Sequence, residues 1–252
     1  MSINPENMVK VFERPRSLTG SQFSYCPGCH HGLVARIIAH TIDELGIQER
    51  TILVAPVGCS VSMYEWFRCD GIQASHGRAS AVATGIKRVN PSLIVFTYQG
   101  DGDIAAIGTA ESIHTANRGE NITVVFINNQ IYGMTGGQMA PTTLIGQWAT
   151  SCPDGRNAQR AGYPIRFSEM IAQLVAPVYV TRQALYDQKR ILTASRAIKK
   201  AFQYQVEGKG YSLVEILTNC PTNWRMSPVE TNNRLANEVV KVFPLGDLVD
   251  RG

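Results

Sequence analysis

Short apolar runs that alternate with helical patterns limit the fold of this chain more than any other feature. Thr51–Val57 and Leu93–Tyr98 carry almost no polar alternation, and Ile122–Ile127, Val178–Thr181 and Tyr211–Leu217 read the same way. Strands without alternation are buried on both faces, as in a parallel sheet covered by helices. Between them, Leu33, Ile37, Ile38, Ile42 and Leu45 recur at helical spacing within residues 32–45, and Gly46 stops the run. A small-residue helix is predicted over Arg78–Val89, ended by Pro91, another from near Ile104 to Asn117, and a long one over Asp187–Glu207. Strict alternation predicts an α/β fold, a mostly parallel sheet with helices on both faces.

No repeat or linker divides the sequence, so residues 1–252 read as a single domain. Residues 1–25, with Pro5 and Pro15, read as an irregular extension that wraps a neighbour. Residues 136–166 form a long Gly/Pro/Thr-rich stretch, and loops of that length in a compact domain are usually functional. At 44% hydrophobic and 17% charged residues the chain can bury a sizeable core. No apolar run approaches the roughly 18 residues of a membrane helix, and the first residues lack the apolar stretch of a signal peptide. The expectation is a cytoplasmic protein with no membrane contact. The net charge of +4 is scattered, and Arg196, Lys199 and Lys200 form a solvated helix face, so no nucleic-acid surface is expected.

The strongest chemical signal is Gly100-Asp101-Gly102 at the end of one predicted strand, then Asn128-Asn129 at the end of the next, with 25 residues between. Open α/β sheets bind ligands at those ends. The glycines let backbone approach a phosphate, and the helix beginning near Ile104 aims its free N–H groups the same way. A magnesium ion on a diphosphate wants hard oxygen ligands. Asp101 offers a carboxylate, Asn129 an amide oxygen and Ile131 its carbonyl. The plainer reading makes Asp101 and Asp103 turn or cap residues.

Six cysteines are many for a reducing compartment, which favours metal or catalysis over disulfides. Cys26, Cys29, His30 and His31 form CPGCHH. As a zinc site it is crowded, because adjacent histidine side chains point apart. As a redox pair it lacks a preceding strand. A 4Fe–4S cluster needs four thiolates, some from distant loops, and Cys59 and Cys220 each follow directly after a predicted strand. Zinc and buried free thiols remain alternatives. Cys69 and Cys152 read as packing residues, as do Trp66, Trp148 and Trp224, while His30, His31, His40 and His114 read as structural.

Together GDG, NN and YGMTGGQ, preceded by HGRA and CPGC, resemble the β subunit of 2-oxoacid:ferredoxin oxidoreductases over about residues 23–230. The resemblance implies the thiamine diphosphate-binding fold of the PP type. It implies thiamine diphosphate with Mg2+ held by Asp101, Asn129 and Ile131, and a 4Fe–4S cluster on Cys26, Cys29, Cys59 and Cys220, with residues 218–252 returning to the cluster. Gly58, Cys59, Ser60, His76, Gly100, Asp101, Gly102, Asp103, Asn129, Ile131, Tyr132, Gly133, Met134 and Thr135 are the implied cofactor-binding residues. His76 and Arg78 are the candidates for touching cofactor or substrate.

The implied reaction is oxidative decarboxylation of a 2-oxoacid, of the 2-ketoisovalerate or 2-oxoglutarate type, to acyl-coenzyme A and CO2, with electrons passing to ferredoxin. The glutamate that activates the cofactor is expected from an α subunit, since Glu65, Glu111 and Glu169 lie in no segment resembling the pyrimidine-binding domain. A γ subunit and a ferredoxin-like δ subunit with further clusters complete the implied partners. Arg156, Arg160 and Arg166 are candidates for a substrate's distal carboxylate, for coenzyme A phosphates or for contact with the α subunit. Two rival readings are a non-redox thiamine decarboxylase or carboligase with structural zinc at Cys26 and Cys29, and a scaffold binding a nucleotide at the GDG turn.

Overall fold

The computed structural model describes Met8 and residues 13–252. Pro5 and most of the first half of the predicted N-terminal extension lie outside the described residues.

Seven strands form one sheet: β1 (Thr51–Pro56), β2 (Asp70–Ala74), β3 (Ile94–Gly100), β4 (Thr123–Asn128), β5 (Tyr179–Ala184), β6 (Ser212–Leu217) and β7 (Gly246–Asp250). They lie in the order β2-β1-β3-β4-β6-β5-β7. Every pairing is parallel except that of β7 with β5. The helices include α1 (His31–Leu45), α2 (Met63–Trp66), α3 (Ala79–Val89), α4 (Thr109–Asn117), α5 (Ala158–Ala161), α6 (Phe167–Ala172), α7 (Gln188–Val206) and α8 (Pro221–Trp224).

The period-two geometry of the strands sorts their side chains into two cores. Leu53, Phe96, Tyr98, Val125, Ile127, Val214 and Ile216 pack on one face with residues of α1 and α7. Their sequence neighbours Val54, Val95, Val124, Phe126 and Leu213 pack on the other with α3, α4 and α6. Both faces are dry, which is why these strands carry so little polar alternation. Each fully buried Phe or Ile contributes roughly 1.5–3 kcal/mol.

Several elements depart from the sequence expectations, among them β7, which the sequence reading did not predict. β2 is an exposed edge strand, with only Ala74 of its five residues buried, so apolarity does not mark it. The helix after the GDG turn is split, with a widened turn over Asp103–Ile107 preceding α4. α6 begins directly after the long loop. β5 runs past Thr181 through Arg182 to Ala184. Arg182 is fully buried and tolerated there because Glu215 accepts from its Nε at 2.7 Å and Glu169 from its Nη1 at 2.8 Å.

The chain leaves β1 toward β2 at one edge and leaves β3 toward β4 on the other side. The carboxyl ends of β1 and β3 therefore part in opposite directions, the arrangement that opens a ligand crevice in such sheets. A third core of Ile131, Leu144, Ala149, Leu217, Trp224, Leu235, Val239 and Phe243 packs at that end.

Candidate active site

At this crevice lies a cleft enclosing about 760 Å3 of space that opens to solvent. The loop after β1 supplies Val57, Gly58, Cys59 and Ser60, and the loop after β3 supplies Gly100–Asp103. Asn129 and Ile131–Thr135 enter after β4, His76 before α3, and His31 from the start of α1. All the residues predicted to bind the cofactor line this one cleft.

Asp101 is buried, yet its carboxylate has donors on both oxygens. Gly102 N–H reaches Oδ1 at 2.8 Å and Thr142 Oγ1 reaches Oδ2 at 2.7 Å. Burial pushes the group up to about 7, while Thr142 and the backbone of Gly102, Gln130 and Ile131 pull it down. Beside it the chain turns sharply at Gln130, whose φ of 57° lies in the left-handed region. A non-glycine residue there costs about 1–3 kcal/mol and persists only where its surroundings hold it. Here Gln130 Nε2 donates to the carbonyl and side-chain oxygens of Asn128 at 2.7 and 2.8 Å. Its own carbonyl accepts from Thr143 Oγ1 at 2.7 Å and Gln147 Nε2 at 3.0 Å. Trp224 Nε1 donates to the Asn129 carbonyl at 3.1 Å. The corner aims Asn129 and Ile131 at the cleft that Asp101 also lines, a set of hard oxygens suited to a divalent cation.

Gly102 has to lack a side chain, because a Cβ there would lie 2.5 Å from the Tyr132 ring. Asp103 is buried behind this turn and accepts Gly77 N–H at 2.5 Å and Gln99 Nε2 at 2.6 Å. His76 Nδ1 faces two acceptors, the Val57 carbonyl at 3.1 Å and Asp103 Oδ1 at 3.2 Å. Those partners assign the proton to Nδ1 and leave Nε2 free. Arg78 does not line the cleft. Its Nη1 pairs with Glu111 at 2.7 Å and donates to the Ile107 and Gly77 carbonyls. Arg156 is consumed as well, donating to the carbonyls of Ala140, Pro141, Thr143, Ala161, Gly162 and Tyr163 at 2.8–3.2 Å. It closes the long loop on itself and has no donor left for a substrate carboxylate, whereas Arg160 and Arg166 are exposed.

A second cleft, of about 670 Å3, shares His31, Gly58, Cys59, Asn129, Gly133 and Met134 with the first. Cys26, Cys29, Cys59 and Cys220 all line it. Their convergence has local causes. Gly28, at φ 76°, makes the tight turn that lets Cys29 N–H bond the Cys26 carbonyl at 3.1 Å. Asn219 Nδ2 holds the Gly28 carbonyl at 3.0 Å and its Oδ1 accepts His30 N–H at 3.0 Å, tying CPGC to the Cys220 loop. A Cβ on Gly133 would lie 3.2 Å from Cys59 Sγ and 3.6 Å from Cys220 Sγ, so the space between these sulfurs stays open because residue 133 is glycine. Burial first, then the neighbouring thiols, pushes Cys29 up to about 11 and Cys59 up to about 12. Among the described residues no three His, Cys, Asp or Glu side chains stand together as ligands of a single ion. The four sulfurs instead surround a shared cleft. Cys69 and Cys152 pack in the hydrophobic cores, away from both clefts.

Several supporting residues carried no recognisable signal in the sequence. His31, read there as structural, lies between the clefts, stacked 4.9 Å from Tyr25 with Nδ1 2.8 Å from the Tyr98 hydroxyl. Burial lowers it to about 4, so the ring is neutral. Thr142 sits in an unpatterned loop. Asn219 and Asn223 flank Cys220 in TNCPTNW, the one local hint that this cysteine is held by amides.

No helix among the described residues is long and apolar enough to cross a membrane. Residues 56–216 match the family described as thiamine pyrophosphate enzyme, C-terminal TPP binding domain, thiamine pyrophosphate being another name for the diphosphate. The ketoisovalerate oxidoreductase subunit VorA of Methanothermobacter thermautotrophicus is 48% identical over 247 residues, 98% of this chain and 52% of VorA. The chain thus spans about half the length of that relative. The 2-oxoglutarate synthase subunit KorB of Archaeoglobus fulgidus is 36% identical over 82% of this chain and 73% of its own length. A solved 2-oxoglutarate:ferredoxin oxidoreductase from Magnetococcus marinus, with 2-oxoglutarate, coenzyme A and succinyl-CoA bound, shares the fold with a TM-score of 0.79 at 23% identity, covering 98% of this chain and 87% of that one. With the motif residues gathered at the carboxyl edge of the sheet, this chain belongs to the thiamine pyrophosphate-binding subunits of the 2-oxoacid:ferredoxin oxidoreductase family.

Proposed function

We propose that this chain carries thiamine diphosphate, Mg2+ and a 4Fe–4S cluster in a 2-oxoacid:ferredoxin oxidoreductase that forms acyl-coenzyme A and CO2. The observation that carries the reading is the shared wall. Gly58, Cys59, Asn129, Gly133 and Met134 border both the Asp101 cleft and the cleft of four thiols. When bound, the thiazolium supplies an electron sink for decarboxylation and the cluster a nearby one-electron acceptor.

The residues of this chain bind and orient. Asp101, Asn129 and the Ile131 carbonyl would hold the magnesium, and Gly102 lets the Tyr132 ring pack against the turn that would face the diphosphate. Cys26, Cys29, Cys59 and Cys220 ligate the cluster. The spread of the four sulfurs around a cleft supports a polynuclear centre over a single zinc ion. His76 presents Nε2 toward the cofactor or substrate, its other nitrogen fixed by Val57 and Asp103. Among the described residues no glutamate lines the Asp101 cleft. Glu111 is paired with Arg78 and Glu169 with Arg182. In this reading the activating glutamate comes from a pyrimidine-binding domain outside residues 1–252, assigned to an α subunit, with γ and ferredoxin-like δ subunits passing electrons to ferredoxin, in the cytoplasm.

A branched-chain substrate of the 2-ketoisovalerate type is favoured, because the relative of highest identity given above is a ketoisovalerate oxidoreductase subunit. The test is anaerobic co-purification with native partner subunits. Viologen reduction is then assayed with pyruvate, 2-ketoisovalerate, 2-oxoglutarate and indolepyruvate, each with coenzyme A. Coenzyme A-dependent reduction that is highest with 2-ketoisovalerate is expected. A colourless complex holding stoichiometric zinc and no iron would overturn the redox reading.

A further inference from the structure

Asn223 touches both clefts through one amide nitrogen. Its Nδ2 donates to the Gly133 carbonyl at 2.9 Å, in the wall of the cofactor cleft, and to Cys220 Sγ at 3.3 Å. An amide nitrogen has two hydrogens, so both bonds are satisfied at once. Flipping the amide would set its oxygen against a carbonyl and a sulfur, two acceptors, so the neighbours fix its orientation. Gly137, at φ 86°, keeps the space beside it clear, since a Cβ there would lie 3.0 Å from Asn223 Oδ1. The contact is therefore built from two segments: Gly133 and Gly137 after β4, and Cys220 with Asn223 after β6.

We propose that Asn223 sets the electron affinity of the four-thiolate centre by donating a hydrogen bond to the Cys220 sulfur, a role that rests on the cluster assignment made above. A hydrogen bond to a ligand sulfur stabilises the state with more negative charge on that sulfur. For a one-electron couple that state is the reduced one, so the donor raises the reduction potential. Cys29 has no such side-chain donor among the described residues: its Sγ faces the Asn219 carbonyl at 3.9 Å, and the hydrogen bond that favours its thiolate comes from the His31 backbone. Because the same amide grips the Gly133 carbonyl, it also fixes the sulfur relative to the cofactor wall. Asn223 is thus a positioning and tuning residue rather than a ligand.

The test uses the anaerobically purified complex, with redox titration followed by electron paramagnetic resonance. The signal that disappears in Cys220→Ala identifies the centre on this chain. Asn223→Leu removes the side-chain donor at similar volume and leaves the residue's backbone N–H at the sulfur, and Asn223→Asp puts an acceptor in the amide's place. Both variants are expected to keep their iron content and to shift that signal to more negative potential, Asp further than Leu. An unchanged potential in both overturns the inference, and so does loss of the signal in both, since the amide would then hold the centre rather than tune it. If Cys220→Ala removes no signal, the cluster assignment itself fails, a result distinct from either.

Discussion

Thr142 Oγ1 donates a 2.7 Å hydrogen bond to Asp101 Oδ2, joining the middle of the long loop to the glycine turn after β3, 41 positions away. The bond keeps one carboxylate oxygen in place while the other is held by Gly102 N–H. Thr142→Val preserves shape and removes only this donor. A hydrogen bond to a charged group contributes about 1.5 kcal/mol or more. Affinity for magnesium and thiamine diphosphate is therefore expected to weaken about tenfold, read by calorimetry on the assembled complex. An unchanged dissociation constant would show that the loop does not orient Asp101.

Arg156 is what gives that loop a shape. Its guanidinium bridges the carbonyls of Ala140, Pro141 and Thr143 on one side to those of Ala161, Gly162 and Tyr163 on the other. Arg156→Met leaves the buried carbonyls of Ala140 and Thr143 without this donor, at roughly 1–3 kcal/mol each where no water replaces it. The expected result is new protease cleavage between residues 140 and 163 and a lowered melting temperature. Arg156→Lys, with three donors and no planar fork, should fall between wild type and Met. A loop in the Met variant as protease-resistant as wild type would contradict this role.

The interior strands were legible in the sequence because burial on both faces leaves an apolar run, as in Leu93–Tyr98. β2, reading Asp-Gly-Ile-Gln-Ala, lies at the exposed sheet edge and has no such constraint. The apolar run that marks β5 ends at Thr181, although the strand continues through Arg182 to Ala184. Only the two carboxylate partners of Arg182, from residues 169 and 215, make it a buried strand residue. At the site, glycines and ligand-type residues at fixed spacing carried GDG, NN and CPGC into view. The bonds that hold them, Thr142 to Asp101, Asn223 to Gly133 and Trp224 to Asn129, each span a long sequence separation, which leaves no periodicity to read. Arg156 misled because its partners are backbone carbonyls and no side-chain pattern announces them.

Gly133 separates the cofactor cleft from the sulfurs without filling either. Adding one methyl group places carbon 3.2 Å from Cys59 Sγ and 3.6 Å from Cys220 Sγ, in the space a cluster would occupy. Gly133→Ala is therefore expected to cut bound iron by well over half while the chain still folds, because the remaining neighbour within reach is the Asn129 amide at 3.8 Å. Iron and sulfide analysis beside far-ultraviolet circular dichroism reads both quantities. Full iron content in a folded Ala variant would mean that the cluster does not sit against residue 133.

Far from the site, Glu120 ties α3 to the end of α4. Arg88 Nη2 and Arg118 Nε reach its Oε1 at 2.6 and 2.8 Å. Burial pushes this carboxyl up, but the two guanidiniums outweigh it and hold the group below its usual value. In the unfolded chain Glu120 takes up its proton at about pH 4.3, before the folded chain does. The stabilisation is thus complete above that pH and is lost as pH falls through the lower, folded value. Arg88 is 61% exposed, so solvent screening limits the effect to about 1 kcal/mol or less. Glu120→Gln should therefore lower the melting temperature by about 2–4 °C or less at pH 7. The gap between variant and wild type should narrow as the pH is taken to about 3.5, below the unfolded carboxyl's pKa. An equal gap at both pH values would mean that packing around residue 120, rather than its charge, accounts for the difference.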